Sequence, residues 1–123
     1  MLCEGIVRQA VVDYRHAMLQ LWKCEHDLAE AVRCIRTSEK WYRRKLDNTE
    51  VEARRQVMIE RYKDTAKEVE RFFNSEFFEL ISDGMEGKEC FEKVKAMVED
   101  EVREVAEKKK VRRNISMVNV EKR

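Results

Sequence analysis

Proline is absent from this 123-residue sequence, and glycine occurs only three times. Residues that interrupt helices are therefore scarce, while apolar residues recur at helical spacing along most of the chain. Clear turn signals are confined to two places, Asp47-Asn48-Thr49 and Ser82-Asp83-Gly84. The sequence predicts an all-α protein built from two or three long helices.

Long apolar runs are also missing. No stretch approaches the roughly 18 apolar residues of a membrane-spanning helix. The start, Met-Leu-Cys-Glu-Gly, has neither the basic region nor the apolar segment of a signal peptide. The four cysteines show no Cys-x-x-Cys spacing, and Cys3 and Cys24 are predicted to be buried thiols. We therefore expect a cytoplasmic protein without membrane attachment.

Recognisable catalytic patterns are absent as well. The sequence has no Gly-rich phosphate loop, no His-Glu-x-x-His pair, and no serine or cysteine with an obvious base. Cys24 and His26 lie about 200° apart around a helix, so they cannot share a metal ion with Cys34. Four-helix di-iron proteins carry Glu-x-x-His on facing helices. This sequence has one similar match, Asp13-x-x-His16, and no second copy of it. We expect a non-enzyme with no catalytic residue, metal or cofactor.

Three apolar stripes predict the helices. The first consists of Val7, Tyr14, Leu21, Leu28 and Ile35 at a spacing of seven, with Ala10, Ala17, Cys24 and Ala31 three residues after the first four. The second consists of Val51, Met58, Tyr62, Ala66, Val69, Phe72, Phe73, Phe77, Leu80 and Ile81. The third consists of Phe91, Val94, Met97, Val98, Val102 and Val105, with Cys90 beside them. The first stripe is wide enough to pack against two partner helices.

These stripes predict an elongated antiparallel three-helix bundle with helices over about 3–46, 50–82 and 88–112. Thr37-Ser38 is interpreted as a polar interlude within the first helix. Thr49 and Glu52 have capping-box spacing, and Gly84 is predicted to be a left-handed stop. Because the third helix is the shortest, the far end of the other two should protrude as a two-helix tip. Residues 1–113 form the domain and 114–123 a flexible tail.

Charge is strongly segregated although the net charge is only +1. The net charge is −1 over 1–35, +4 over 36–63, −7 over 64–104 and +5 over 105–123. The predicted partner-binding residues belong to the basic tip: Lys40, Trp41, Tyr42, Arg43, Arg44, Arg54, Arg55 and Arg61. Basic residues beside exposed aromatics suit either a protein groove or nucleic acid, and a merely solvated helical face is the third interpretation.

The C-terminal segment Lys108-Lys109-Lys110-Val111-Arg112-Arg113 has the same ambiguity. It is interpreted either as a nucleic-acid contact or as cations that favour a helix C-terminus.

The segments Ala10-Val11-Val12-Asp13-Tyr14-Arg15 and Glu70-Arg71-Phe72-Phe73-Asn74-Ser75-Glu76-Phe77-Phe78 carry a resemblance. Over roughly residues 6–95 the chain resembles small uncharacterised phage and mobile-element proteins of Firmicutes with an Arg-Phe-Phe-x-Ser-x-aromatic-Phe stretch. This chain has Phe77 where tryptophan is common in that stretch. Two of its four phenylalanines are predicted to enter the core.

The resemblance itself implies no chemistry. Together with the segregated charge it favours a protein-binding effector of mobile-element origin, for instance an inhibitor of a host defence nuclease such as a CRISPR-Cas effector. Either the basic tip or the acidic flank of residues 64–104 would be its docking surface. The alternative is a nucleic-acid-binding accessory protein that uses the basic tip and the C-terminal cluster. Self-association as a homodimer is a third prediction, because it would cover an exposed stripe.

Overall fold

The computed structural model describes residues 2–37, 45–82 and 84–121, with side chains over 4–37, 45–82 and 84–110. The described residues form five helices and no strand: α1 Leu2–His26, α2 Leu28–Thr37, α3 Asn48–Phe73, α4 Glu76–Ile81 and α5 Gly87–Glu121. The prediction of an all-helical chain is confirmed. The predicted helices 3–46 and 50–82 are each divided in the structure.

The first helix is interrupted at Asp27. The amide of Asp27 still donates to the Lys23 carbonyl at 2.9 Å, and the Asp27 carbonyl accepts from the Ala31 amide at 3.0 Å. The Asp27 carboxylate accepts from the Glu30 amide at 3.4 Å, which is the bond of a helix N-cap. Asp27 is buried and forms an ion pair with Lys109 of α5. This pair joins the junction of α1 and α2 to the distal part of α5.

The second interruption lies at Asn74-Ser75. The Asn74 side-chain amide donates to the Glu70 carbonyl at 3.1 Å, and the Ser75 hydroxyl donates to the Phe72 carbonyl at 2.6 Å. The same hydroxyl accepts from the Phe78 amide at 3.2 Å. The carbonyls of Glu70 and Phe72 also accept the backbone amides of Asn74 and Ser75, so the side chains add to the backbone hydrogen bonds that end α3. The bond from the Phe78 amide makes Ser75 the N-cap of α4.

The start of α3 differs from the predicted capping box of Thr49 and Glu52. The carboxylate of Asp47 accepts from the Glu50 amide at 2.8 Å, and the Glu50 side chain accepts from the Asp47 amide at 3.5 Å. The box therefore begins two residues earlier than predicted, because aspartate caps a helix at least as well as threonine.

The main core lies where α1, α3, α4 and α5 meet. Its buried members are Tyr14, Val69, Phe73, Phe78, Phe91 and Val98. The Tyr14 and Phe91 rings pack edge to face with their centroids 5.3 Å apart, and the centroids of the Phe73 and Phe91 rings are 5.8 Å apart. A smaller core at the other end of α3 consists of Ile35, Leu46 and Val51.

Most predicted stripe residues face these cores, but Leu28, Phe77, Leu80 and Met97 are exposed, and their predicted burial is wrong. Tyr14, Ala17, Cys24, Ala31 and Ile35 are buried along the first stripe. Leu28, by contrast, is exposed, and its neighbour Asp27 is buried. Phe77 and Leu80 are also exposed, and Phe73 and Phe78 are the phenylalanines that enter the core.

The third helix is much longer than predicted. It spans 35 residues, against 25 for α1 and 26 for α3, and its backbone stays helical through most of the predicted tail 114–123. The premise that a short third helix leaves a protruding tip is therefore wrong. Lys108–Lys110 lie within α5 and not at its C-terminus, so the interpretation as helix-end cations is wrong too.

Two glycines determine the turn between α4 and α5. Gly84 has a φ of 83°, which confirms the predicted left-handed stop. Gly87 begins α5 against the last turn of α3, where an added Cβ would lie 1.7 Å from the Phe73 carbonyl oxygen and 3.2 Å from the Phe78 ring. The close approach of α5 to Phe73 therefore requires a residue without a side chain.

We expect Gly87→Ala to destabilise the protein by at least about 3 kcal/mol in urea denaturation, because backbone must move away from backbone. Gly5→Ala is the matched control, since nothing lies within 4 Å of its added Cβ. It should leave stability unchanged or raise it by up to about 1 kcal/mol. Equal effects of the two substitutions would contradict the close approach at Gly87.

We expect the Asp27 and Lys109 side chains to be energetically coupled. Asp27→Asn keeps the capping oxygen but removes the charge, and should cost about 2–3 kcal/mol because a partly buried ammonium loses its partner. The Lys109 side chain keeps 29% of its exposure, so the cost should stay below that of a fully buried pair. Lys109→Met combined with Asp27→Asn should cost less than the sum of the single changes, as measured by a double-mutant cycle in urea. Lys110→Met, at an exposed neighbour, is the control, and strict additivity would contradict the pair.

Candidate functional site

An open groove of about 610 Å³ lies between α2 and α3. The residues that line it are Cys34, Ile35, Glu50, Ala53, Arg54, Val57, Met58 and Arg61. Ile35 is buried at its base, whereas 52% of the Val57 side chain remains exposed. The groove thus combines apolar surface with two arginines at one end of the molecule.

Helical periodicity explains why these α3 residues share a face. At about 100° per residue, the six residues from Glu50 to Arg61 fall within an arc of about 140°. Ile59, which is buried, lies on the opposite side of α3. The sequence alone could have shown this arc, because the positions follow the helical spacing i, i+3, i+4, i+7, i+8 and i+11.

Two predicted site residues, Arg54 and Arg61, lie in this groove. They are seven residues apart, which corresponds to about 10.5 Å along the helix axis. Arg61 is exposed and Arg54 is half-buried. The one carboxylate of the groove, Glu50, is engaged at the N-cap of α3 through the Asp47 amide. Glu50 keeps its negative charge there, so two arginines and one carboxylate give the groove a net charge of +1.

Arg55 occupies a different face of α3 and is bound within the molecule. Its guanidinium donates to the Cys24 carbonyl of α1 at 2.6 Å and to both carboxylate oxygens of Glu52 at 2.9 and 2.7 Å. Only 17% of the Arg55 side chain is exposed. Arg55 therefore joins α3 to α1.

The other predicted site residues, Lys40, Trp41, Tyr42, Arg43 and Arg44, lie outside the described residues. Arg36, which precedes them, donates to the Leu46 carbonyl at 3.2 Å and to the Asn48 side chain at 2.9 Å. The basic segment 36–63 therefore contains both structural arginines and groove arginines.

Cys34 places a free, exposed thiol at the groove. Its sulfur lies 3.7 Å from a Glu30 carboxylate oxygen and 4.0 Å from an Arg33 nitrogen. Cys24, in contrast, is buried as predicted, and burial raises the pKa of its thiol. The contrast makes Cys34 a convenient position for a label that reports on the groove.

The C-terminal basic cluster is not a uniform cationic surface where the structure describes it. Lys108 and Arg103 line a depression together with Asp100, Glu104 and Glu107. Lys109 belongs to the buried pair with Asp27. The described part of this cluster therefore mixes both signs of charge.

Within the described residues, no three His, Cys, Asp or Glu side chains are placed to hold a metal ion together. Among the same residues, no helix has the length and apolar character that a membrane crossing requires.

Comparison with protein-family models, with curated proteins and with solved structures finds no match for this chain. The resemblance to phage and mobile-element proteins stays a prediction.

We expect the Glu52–Arg55 interaction to make stability depend on pH below about 4.5. Hydrogen bonding to Arg55 lowers the pKa of Glu52 from 4.5 to about 2, and Gln56 adds a second donor. Because the pKa is lower in the folded state, the stabilisation is complete above about pH 4.5 and is lost as the pH falls toward about 2. The Tm difference between wild type and Glu52→Gln should therefore shrink over that range. Glu60→Gln, at an exposed position on the same helix, is the control, and a pH-independent difference would contradict this role of Glu52.

Proposed function

We propose that this chain is a non-enzymatic protein-binding module whose groove between α2 and α3 receives an amphipathic helix bearing acidic residues. The observation that carries the proposal is the single face of α3 on which Val57 and Met58 lie between Arg54 and Arg61. An apolar groove of this kind suits a helix with anchors at i, i+3, i+4 and i+7. The flanking arginines would select carboxylates beside those anchors.

The proposal includes the arrangement that presents the groove. We propose that α1, α3 and α5 form an elongated antiparallel three-helix bundle. It is supported by the packing of α1 on α3, by the contacts of α5 with both, and by the Arg15–Glu101 ion pair between α1 and α5. The predicted cytoplasmic location remains part of the proposal, and the free thiols of Cys24, Cys34 and Cys90 are consistent with a reducing compartment.

Protein binding is favoured over nucleic-acid binding by the neighbours of the basic residues. A phosphate-binding surface requires several cations that face solvent together. Here Arg55 and Lys109 are bound within the molecule, and Lys108 lies among carboxylates. The more specific prediction of a mobile-element inhibitor of a host nuclease remains a proposal carried only by the sequence resemblance.

Peptide display against the full chain tests the groove. We expect selection to enrich helical peptides with acidic residues beside apolar anchors, and the combined Arg54→Glu and Arg61→Glu variant to bind them at least about tenfold more weakly. Fluorescence anisotropy measures the affinity, and circular dichroism verifies the fold of the variant. Arg8→Glu combined with Lys93→Glu makes the same change in net charge at exposed positions outside the groove and should bind normally.

Two outcomes would contradict this proposal. One is enrichment of peptides whose binding is unaffected by the groove variant. The other is tight binding of labelled duplex or single-stranded DNA that declines steeply with salt, because that dependence indicates phosphate contacts.

A further inference from the structure

The outer face of α4 has the opposite character to the groove. Glu76, Phe77, Glu79 and Leu80 fall within an arc of about 160°, on the side of α4 away from buried Phe78. Phe77 is 51% exposed and Leu80 is 80% exposed. We call these four residues the α4 ridge. It is a short amphipathic helical surface that carries carboxylates beside apolar side chains.

We propose that the α4 ridge of one copy of this chain docks in the α2–α3 groove of a second copy. The inference rests on the proposed function, because it names a second copy as an occupant of the same groove. Leu80 and Phe77 would cover Val57 and Met58, and Glu76 and Glu79 would meet Arg54 and Arg61. Each surface supplies the charge that the other lacks.

The ridge cannot reach the groove of its own chain. Arg61 and the last residue of α3, Phe73, are separated by about 18 Å of continuous helix. Phe78 anchors α4 beside Phe73, with the two ring centroids 5.0 Å apart. The ridge is therefore held at the opposite end of α3 from the groove, and only another molecule can bring the two together.

The charge distribution of the whole chain favours the same pairing. The groove belongs to the segment 36–63 with a net charge of +4, and the ridge to the segment 64–104 with a net charge of −7. Two copies side by side with α3 antiparallel would place unlike segments together, whereas a parallel pair would oppose like charges. If both contacts form between the same two molecules the assembly is a closed dimer, and otherwise it extends into chains.

Sedimentation velocity of the full chain, from micromolar to millimolar concentration, tests the proposal. We expect reversible self-association that weakens when salt is raised from about 0.1 M to about 1 M. Arg54→Glu with Arg61→Glu should weaken it at least about tenfold, and so should Glu76→Lys with Glu79→Lys. A wild-type chain that remains monomeric throughout would overturn the proposal.

Mixing the two charge-reversed variants provides the decisive measurement. Each variant carries one altered surface, so the acidic groove of one now matches the basic ridge of the other. The equimolar mixture should associate more tightly than either variant alone. Absence of this rescue, with both variants folded by circular dichroism, would overturn the proposal.

Leu80→Ser tests the ridge without altering charge or core, because Leu80 is largely exposed. It should reduce self-association and leave Tm unchanged. The control variant, Arg8→Glu with Lys93→Glu, should self-associate like the wild type. Self-association that is insensitive to Leu80→Ser and to both charge reversals would place the interface elsewhere and overturn the proposal.

Failure of this inference is distinguishable from failure of the proposed function. A monomeric chain that still binds selected acidic peptides through Arg54 and Arg61 removes the second copy as an occupant and leaves the groove as a binding site. A chain that neither self-associates nor binds these peptides would contradict both the inference and the proposed function. A maleimide label at Cys34, whose reaction slows when the groove is filled, reports occupancy in either case.

Discussion

The meeting of aromatic rings from the three longest helices is the contact on which the rest of the fold depends. Tyr14 of α1, Phe73 of α3 and Phe91 of α5 pack against one another, and Phe78 of α4 closes the cluster. Aromatic rings bury large apolar areas, so this contact fixes where the helices can approach one another. Gly87 belongs to the same contact, since it lets α5 begin directly against the Phe73 carbonyl. The other end of α3 has a smaller core, and it is there that the groove opens.

The sequence predicted the composition of the core better than the continuity of the helices. Apolar spacing correctly identified Tyr14, Phe73, Phe91 and Val98, because each follows the helical period of its own segment. It could not identify Asp27 as an interior residue, since the reason for its burial is Lys109, which is remote in the sequence. A polar residue within an apolar stripe is normally assigned to the surface, and only the tertiary pairing of these two charges reverses that assignment.

The candidate site shows the same division between local and non-local information. Arg54 and Arg55 are neighbours in sequence and were predicted to act together. On a helix they point about 100° apart, so Arg54 borders the groove while Arg55 reaches the Cys24 carbonyl of α1. Helical geometry alone could have separated the two. Which of them would face a neighbouring helix depended on where α1 packs, and the sequence does not contain that information in any local pattern.

Unequal coverage of α3, and not unequal helix length, accounts for the open groove between α2 and α3. Val69 and Phe73, in the C-terminal half of α3, are enclosed by α1 and α5 within the main core. The N-terminal half contacts α1 through Arg55 and α2 through Val51, which leaves the arc from Glu50 to Arg61 open. This arc exposes Val57 beside two arginines, while Met58 is half-buried against the smaller core. Water solvates the apolar part of the arc poorly, so covering it with a complementary surface is favourable. The α4 ridge exposes apolar side chains beside carboxylates at the opposite end of the same helix, and the mutual burial of these two surfaces would remove both exposures at once.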